Sequence, residues 1–218
     1  MRAVPWWGVV SSAAAPVVLV GGWTVAARLQ QRPFDPVSEM VSEMMAVGAT
    51  DRWVMTAVLL AVGTCYIVTG AALRPAARAG RLILIAGSAA GMLVAVNPEP
   101  ATGASVPHTI WAVLGFAGLA AWPAWAWRRG SPVPWGLRPG VCFAAIAVEL
   151  LLLGWFVAEL ITGGGQVGLA ELAVGVAQAL WLLAVVLSCL VQGGRLGSAP
   201  VSPVRRAGES GRRPGHAG

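Results

Sequence analysis

Charged side chains are scarce in this chain. They make up 11% of its 218 residues, while hydrophobic residues make up 57%. A soluble domain carries about 25% charged residues, so this chain lacks the polar surface that keeps a protein in water. The mean hydropathy of +0.72 agrees with that shortage. The composition therefore excludes a separate soluble domain and predicts a membrane protein.

Lysine is absent, and all fifteen basic residues are arginine, which gives a net charge of +6. The arginines stand in short clusters between apolar runs, where the signals that orient a membrane protein belong. We therefore attribute the positive charge to membrane topology and expect no nucleic-acid partner.

Cysteine and histidine are too few for the common metal and haem sites. Cys65, Cys142 and Cys189 each stand alone in an apolar run, and the only histidines are His108 and His216. The sequence has no CxxC pair, phosphate loop, serine elbow, HExxH motif or dinucleotide fingerprint. We predict no cofactor and no metal site, assign no catalytic residue, and favour a non-enzymatic role.

Apolar sequence is abundant and falls into six runs, each near the roughly 20 residues that cross a bilayer. The predicted helices are 5–29, 53–73, 82–96, 107–127, 141–161 and 167–191. The fold class is therefore all-α, a polytopic membrane protein whose six-helix bundle occupies residues 1–191. Residues 192–218 are rich in Gly, Ser, Pro and Arg, and they predict a disordered basic tail that meets anionic lipid head groups.

Arginine placement predicts the orientation of the bundle. With six crossings, twelve arginines share one side with both termini, and only Arg28, Arg32 and Arg52 fall on the other. Because positive charge is enriched in cytoplasmic connections, both termini are predicted to be cytoplasmic. Residues 30–52 then face outward.

This outward segment, residues 30–52, is the longest polar stretch before the tail. Ser38 and Ser42, like Glu39 and Glu43, are four residues apart, which places each pair on one stripe of a helix. The spacing predicts a short amphipathic helix that lies on the interface or folds over the mouth of the bundle. The alternative is a solvated loop whose methionines rest on lipid.

The outer ends of the predicted helices supply further polar groups, so we predict an outer-facing polar site. Its candidate residues are Ser38, Glu39, Ser42, Glu43, Glu99, His108, Glu159 and Glu171. His108 opens the fourth helix and could act as a general base or ligand beside a carboxylate. A helix-capping role for this histidine is the alternative.

Glu149 lies eight residues into the fifth apolar run. A carboxylate inside the bilayer is costly, and it marks a transport pathway or a buried partner by default. A protonated carboxyl that bonds to a neighbouring helix would explain it equally well.

Several motifs, taken in order, resemble one family. They are PVSEMVSEMMAVGATDRWVMT, AALRPAARAGRLIL, the NPEP break, His108 at a helix start, GLAEL, and Ala179-Leu180-Trp181. From about residue 5 to 191 the chain resembles the six-helix bacterial membrane family catalogued as domain of unknown function 998, in its actinobacterial branch. The resemblance implies a multi-pass protein of the bacterial plasma membrane with no established activity. It supplies no catalytic residues, and Leu172 stands where the family often has arginine.

Three functions remain open. The favoured one is binding of a lipid or small ligand at the outer polar mouth. The alternatives are a small proton- or cation-coupled transporter or channel that uses Glu149, and a membrane-embedded lipid-acting enzyme that uses His108 with outer carboxylates. The Gly87-x-x-x-Gly91 step favours close helix packing within the bundle, and leaves open a homo-oligomer or a partner membrane protein.

Overall fold

The computed structural model describes residues 3–197, and among them no β-strand forms. Seven α-helices run in chain order: α1 Trp6–Leu29, α2 Arg52–Ala72, α3 Arg78–Val96, α4 Val106–Ala121, α5 Pro123–Ala126, α6 Pro139–Thr162 and α7 Val167–Gly197. Two 3₁₀ helices, Val41–Met45 and Trp135–Leu137, lie in the connections. The predicted all-α fold class is confirmed.

Five of these helices are long and apolar enough to cross a membrane: α1, α2, α3, α6 and α7. The chain is a polytopic helical membrane bundle. Helix α4 is shorter, with 16 residues, or about 24 Å at 1.5 Å per residue. The apolar core of a bilayer is about 30 Å thick, so a sixth crossing by α4 together with α5 stays a prediction.

The long helices form a ring. Helix α1 packs on α2 and α7, α2 packs on α3, α3 on α4, and α6 on α7, while α4 and α6 meet only sparingly. We name the two ends of the ring by their side chains. The carboxylate face holds residues 30–51 and the connections 97–105 and 163–166, and the arginine face holds the connections 73–77 and 127–138.

Helices α3 and α4 approach closely because glycines face each other. A Cβ atom on Gly87 would lie 3.0 Å from the backbone of Gly118, and one on Gly115 would lie 3.2 Å from the nitrogen of Gly91. The Gly87-x-x-x-Gly91 step therefore serves packing inside the chain, as small residues do in membrane helix pairs.

Helix α3 begins at Arg78, four residues before the predicted start at residue 82. The difference has a physical reason. The last carbonyl groups of a helix have no intrahelical partner, and Arg81 donates from Nε to Gly70 O at 2.8 Å and from Nη2 to Ala71 O at 2.7 Å. Arg81, itself part of α3, thus caps the end of α2. The predicted start at residue 82 was set by the first apolar residue, so it missed the helical arginines before it.

The other end-point differences concern α4 and α7. The predicted run 107–127 is broken, because Pro123 has no N–H to continue the helix, and a new short helix, α5, begins there. Helix α7 continues to Gly197, beyond the predicted end at residue 191. The rest of the predicted basic tail lies outside the described residues.

Candidate functional site

Residues 36–49, which we call the cap segment, cover the carboxylate face of the bundle. The predicted amphipathic α-helix does not form, since only Val41–Met45 are helical and their helix is 3₁₀. Val41, Met44 and Met45 are buried in the core cluster. The solvated-loop alternative is therefore wrong as well, because these side chains point into the bundle.

Backbone hydrogen bonds fasten the cap segment at several places. Leu169 N donates to Val37 O at 3.1 Å, and Val47 N donates to Glu99 O at 2.8 Å. A side chain on Gly168 would collide with the carbonyl group of Glu39. The cap segment therefore rests directly on the start of α7 and on the α3–α4 connection.

The carboxylate of Glu171 holds the cap segment most specifically. Its Oε2 accepts hydrogen bonds from Val41 N at 2.6 Å and from Ser42 N at 3.5 Å. The first N–H groups of a helix lack partners inside the helix. A side chain on α7 supplies that partner here, so a distant carboxylate caps the 3₁₀ helix.

Three predicted site residues serve local structure in this face. Ser38 Oγ donates to Asp35 Oδ2 at 2.6 Å. Glu39 pairs with Arg32, and Glu159 Oε2 accepts from Gln166 N at 2.9 Å. The hydroxyl of Ser38, followed by the backbone N–H of Val37, lowers the pKa of Asp35 below its ordinary value of 3.8.

His108 is buried at the first turn of α4, and its two ring nitrogens have different surroundings. Nδ1 lies 3.0 Å from Asn97 O, and Nε2 lies 3.8 Å from Glu99 Oε1. A carbonyl oxygen can only accept, so Nδ1 donates this hydrogen bond and Nε2 is the nitrogen that faces the Glu99 carboxylate. Glu99 itself is held because its Oε2 accepts from Ser105 N at 2.6 Å.

A cavity of about 1050 Å³ lies beneath the cap segment, inside the ring of helices. Its polar lining is concentrated at the carboxylate face, where it includes Ser42, Glu43, Glu99, His108, Thr109 and Glu171. Its deeper wall is apolar, and on α4 the lining reaches Ala117. From His108 to Ala117 is about 14 Å along a helix. The cavity thus has a polar mouth and an apolar body.

The wall of the cavity is incomplete between α4 and α6. The rings of Phe116 and Phe156 meet there with centroids 5.7 Å apart. Nearer the carboxylate face, Val113, Val157 and Leu160 line the cavity and are nevertheless 60%, 42% and 46% exposed. Residues that belong to both surfaces mark a side opening, which we call the window.

Glu149 lies about 15 Å from the start of α6 at Pro139 and is buried. Its carboxyl faces Gln178 of α7, and Tyr66 of α2 is within electrostatic range. Glu149 Oε2 and Gln178 Nε2 have no hydrogen-bond partner within the described residues. This pair of helices lines the cavity one turn nearer the mouth, through Leu153 and Gly175.

Comparison with known proteins gives one match. The sequence profile of the family described as protein of unknown function DUF998 matches residues 12–188. The chain belongs to this family. No curated protein and no solved structure shows a significant match. The DUF998 match includes the cap segment, the cavity, the window and Glu149, so every feature of the candidate site lies within the family domain.

Five of the eight predicted outer-face residues of this DUF998 protein converge on the cavity: Ser42, Glu43, Glu99, His108 and Glu171. Ser38, Glu39 and Glu159 do not line it. Sequence reasoning missed Trp23 of α1, which lines the cavity and whose Nε1 finds no hydrogen-bond partner among residues 3–197. A tryptophan inside an apolar run was the only available signal. Among the described residues, no three His, Cys, Asp or Glu side chains could hold a metal ion.

Proposed function

We propose that this protein binds a membrane amphiphile in the cavity beneath the cap segment. The main support for this proposal is the shape of the cavity, which has a polar mouth, an apolar body and a window toward lipid. Ligand sites are commonly about 300–1,000 Å³ and mostly apolar with a few placed polar groups. The cavity, at about 1050 Å³, reaches the upper end of that range.

Its size also argues that the cavity is occupied in the membrane. A space of about 1050 Å³ that is open at its side does not stay empty, because surrounding molecules fill it. Water suits the polar mouth, whereas the apolar body favours an acyl chain or a similar apolar group.

The mouth favours a headgroup that donates hydrogen bonds. Glu43, Glu99 and Glu171 line it, and none of the arginines that the structure describes does. Glu99 Oε1 lies 3.8 Å from His108 Nε2, and a headgroup O–H or N–H that reaches this point can donate to the carboxylate. A hydroxyl- or amine-bearing headgroup therefore suits this site better than a purely anionic one.

The window gives the amphiphile a route from the bilayer, since it lies between α4 and α6 and below the cap segment. A headgroup can enter at the level of His108 while its chain remains in apolar surroundings. This route needs no opening of the cap segment. We accordingly assign the cap segment the role of shielding the mouth from water.

The proposal can be tested by filling the cavity with a larger side chain. Gly91 lines the cavity, and a Cβ atom there meets nothing within 4 Å. Gly91→Leu therefore introduces an isobutyl group into the binding space, and an unchanged thermal midpoint would show that the nearby α3–α4 packing is kept. Gly154→Leu is the matched control, because Gly154 also meets nothing within 4 Å but is exposed on α6 and is not part of the cavity lining.

Native mass spectrometry of the purified proteins would show what stays bound. We expect a defined amphiphile on the wild-type protein and on Gly154→Leu, and a reduction of at least about tenfold on Gly91→Leu, a loss of about 1.4 kcal/mol. Equal retention by all three proteins, or no bound amphiphile on any of them, would contradict the proposal.

A second candidate function is proton or cation transport, favoured by the unpartnered atoms of Glu149 and Gln178 one turn below the cavity. Intramembrane carboxylates often form ion pathways. Flux into liposomes would be compared for wild type, Glu149→Gln and the control Glu159→Gln. Flux that only Glu149→Gln abolishes would support transport. No flux, or flux unchanged by Glu149→Gln, would reject it.

A further inference from the structure

A second concave surface lies at the opposite end of the bundle. Arg128, Arg129 and Arg138 line a groove of about 450 Å³ on the arginine face, and Gln192 of α7 closes its side. The groove is separate from the cavity beneath the cap segment, with which it shares no lining residue. We call it the arginine groove.

Structural contacts position two of the three arginines of the arginine groove, Arg128 and Arg129. Arg128 donates to Pro75 O and Ala76 O, both at 3.2 Å. The guanidinium carbon of Arg129 lies 4.9 Å from the centre of the Trp127 ring. Arg138 occupies the N-cap position of α6 without a side-chain capping hydrogen bond, and the helix dipole adds positive potential there. The groove therefore concentrates positive charge, and its Arg128 wall is held in place.

No carboxylate offsets this charge within the part of the chain that the structure describes. Seven of its eight acids belong to the carboxylate face or the adjoining helix ends, and the eighth, Glu149, lies midway along α6. None of them lines the arginine groove. Guanidinium groups bind phosphate oxygens through paired charge-assisted hydrogen bonds. An anion with several oxygen acceptors is the fitting occupant.

Exposed tryptophans place the groove at the depth of lipid head groups. Trp125 is 52% exposed and Trp135 is 44% exposed, and both stand within a few residues of the groove arginines. Tryptophan is enriched at membrane–water interfaces because its ring is apolar and its N–H is polar. A phosphate at this depth is supplied most directly by the adjoining leaflet.

We propose that the arginine groove binds the phosphate group of an anionic phospholipid. Basic pockets between transmembrane helices favour such head groups. Arg129 and Arg138 supply the binding charge, while Arg128 is held by backbone carbonyls and orders the wall of the groove. This site is independent of the amphiphile site at the carboxylate face, so a test can reject either proposal without affecting the other.

The test compares two double variants of the full chain. Arg129→Gln/Arg138→Gln removes two charges from the groove. Arg28→Gln/Arg52→Gln removes two charges at the other face, and Arg52 stacks on Trp53 at 4.0 Å much as Arg129 stacks on Trp127. Retention of phosphatidylglycerol against phosphatidylcholine would be measured by native mass spectrometry, with and without millimolar inorganic phosphate. Thermal unfolding would establish that both variants are folded.

We expect the wild-type protein to prefer phosphatidylglycerol, the groove variant to hold it roughly thirtyfold more weakly, and the control to match wild type. Arg129→Lys/Arg138→Lys should restore part of the preference, since it keeps the charge but loses the forked geometry. Inorganic phosphate should not displace the lipid. Equal retention by the groove and control variants would overturn the proposal, and so would displacement by inorganic phosphate, which would make the groove a site for the free ion.

Discussion

Glu171 Oε2 accepts a 2.6 Å hydrogen bond from Val41 N, a contact that spans 130 residues of sequence. It joins the start of α7 to the first residue of the 3₁₀ helix in the cap segment. Both residues line the cavity. One carboxylate thus fixes the cover of the cavity while forming part of its mouth, so the order of the cap segment and the proposed ligand binding involve the same group.

Replacing Glu171 should loosen the cap segment. Leaving a part-buried N–H without its partner costs about 1–3 kcal/mol, so Glu171→Ala should speed amide hydrogen exchange in residues 40–47 roughly thirtyfold. Glu159→Ala is the control, because that carboxylate bonds within its own turn. Unchanged exchange in Glu171→Ala would show that other contacts hold the cap segment.

Gly168 should be needed for the close approach of α7 and the cap segment. The Cβ atom of Gly168→Ala would collide with the Glu39 carbonyl, and overpacking of this kind costs about 1–3 kcal/mol. We expect a lower thermal midpoint and faster exchange in residues 36–45. Gly165→Ala, where a Cβ atom has open space, should behave as wild type. If Gly168→Ala and Gly165→Ala have the same thermal midpoint and exchange rates, α7 and the cap segment do not pack as closely as the structure indicates.

Ser38 should control the acidity of Asp35. The Ser38 hydroxyl is the first cause of the lowered Asp35 pKa, so Ser38→Ala should raise that pKa toward 3.8, as measured by carboxyl carbon NMR. Because the folded pKa lies below the unfolded one, the stabilisation of this turn is present above about pH 4 and is lost as the pH falls through the folded pKa. Ser42→Ala should leave the titration of Asp35 unchanged.

Topology can be tested with single cysteines on the two faces. Ala79 is exposed near the start of α3, and Ala101 is exposed in the connection before α4. If positive charge faces the cytoplasm, a membrane-impermeant thiol reagent should label Ala101→Cys in intact cells and Ala79→Cys only after permeabilisation. The unaltered chain gives the background labelling of the native cysteines. Labelling of Ala79→Cys above that background in intact cells would show that the orientation is opposite to the predicted one.

The sequence predicted the helices well where apolar character alone defines them. Runs such as 5–29 appear in the structure with nearly the same bounds, because a membrane helix needs a continuous apolar surface. The prediction failed where a charged residue is helical, as Arg78 is in α3, and where Pro123 interrupts an apolar run. A hydropathy profile cannot show that Arg81 bonds to the last carbonyl groups of α2. Nor does it register that Pro123 lacks the backbone N–H that a continuing helix needs.

The candidate site was predictable in composition and less so in geometry. The sequence predicted that His108 and Glu99 share one face of the bundle, and in the structure His108 Nε2 lies 3.8 Å from Glu99 Oε1. It could not separate Glu171, which fastens the cap segment, from Glu159, which bonds its own turn. Both are carboxylates at helix ends. The i,i+4 spacing in residues 38–43 predicted an α-helix, whereas the buried Val41 and Met44 favoured a tight 3₁₀ turn over the bundle.

Photocrosslinking from α4 tests the amphiphile site most directly. A photoreactive side chain at Ala112 would point to the cavity that Ala112 lines, whereas one at Ile110, which is 50% exposed and outside the lining, would sample bulk lipid. We predict one defined amphiphile crosslinked at position 112, lost in the Gly91→Leu background, and the general lipid mixture at position 110. The same lipid mixture at both positions, unaffected by Gly91→Leu, would contradict an amphiphile-binding cavity.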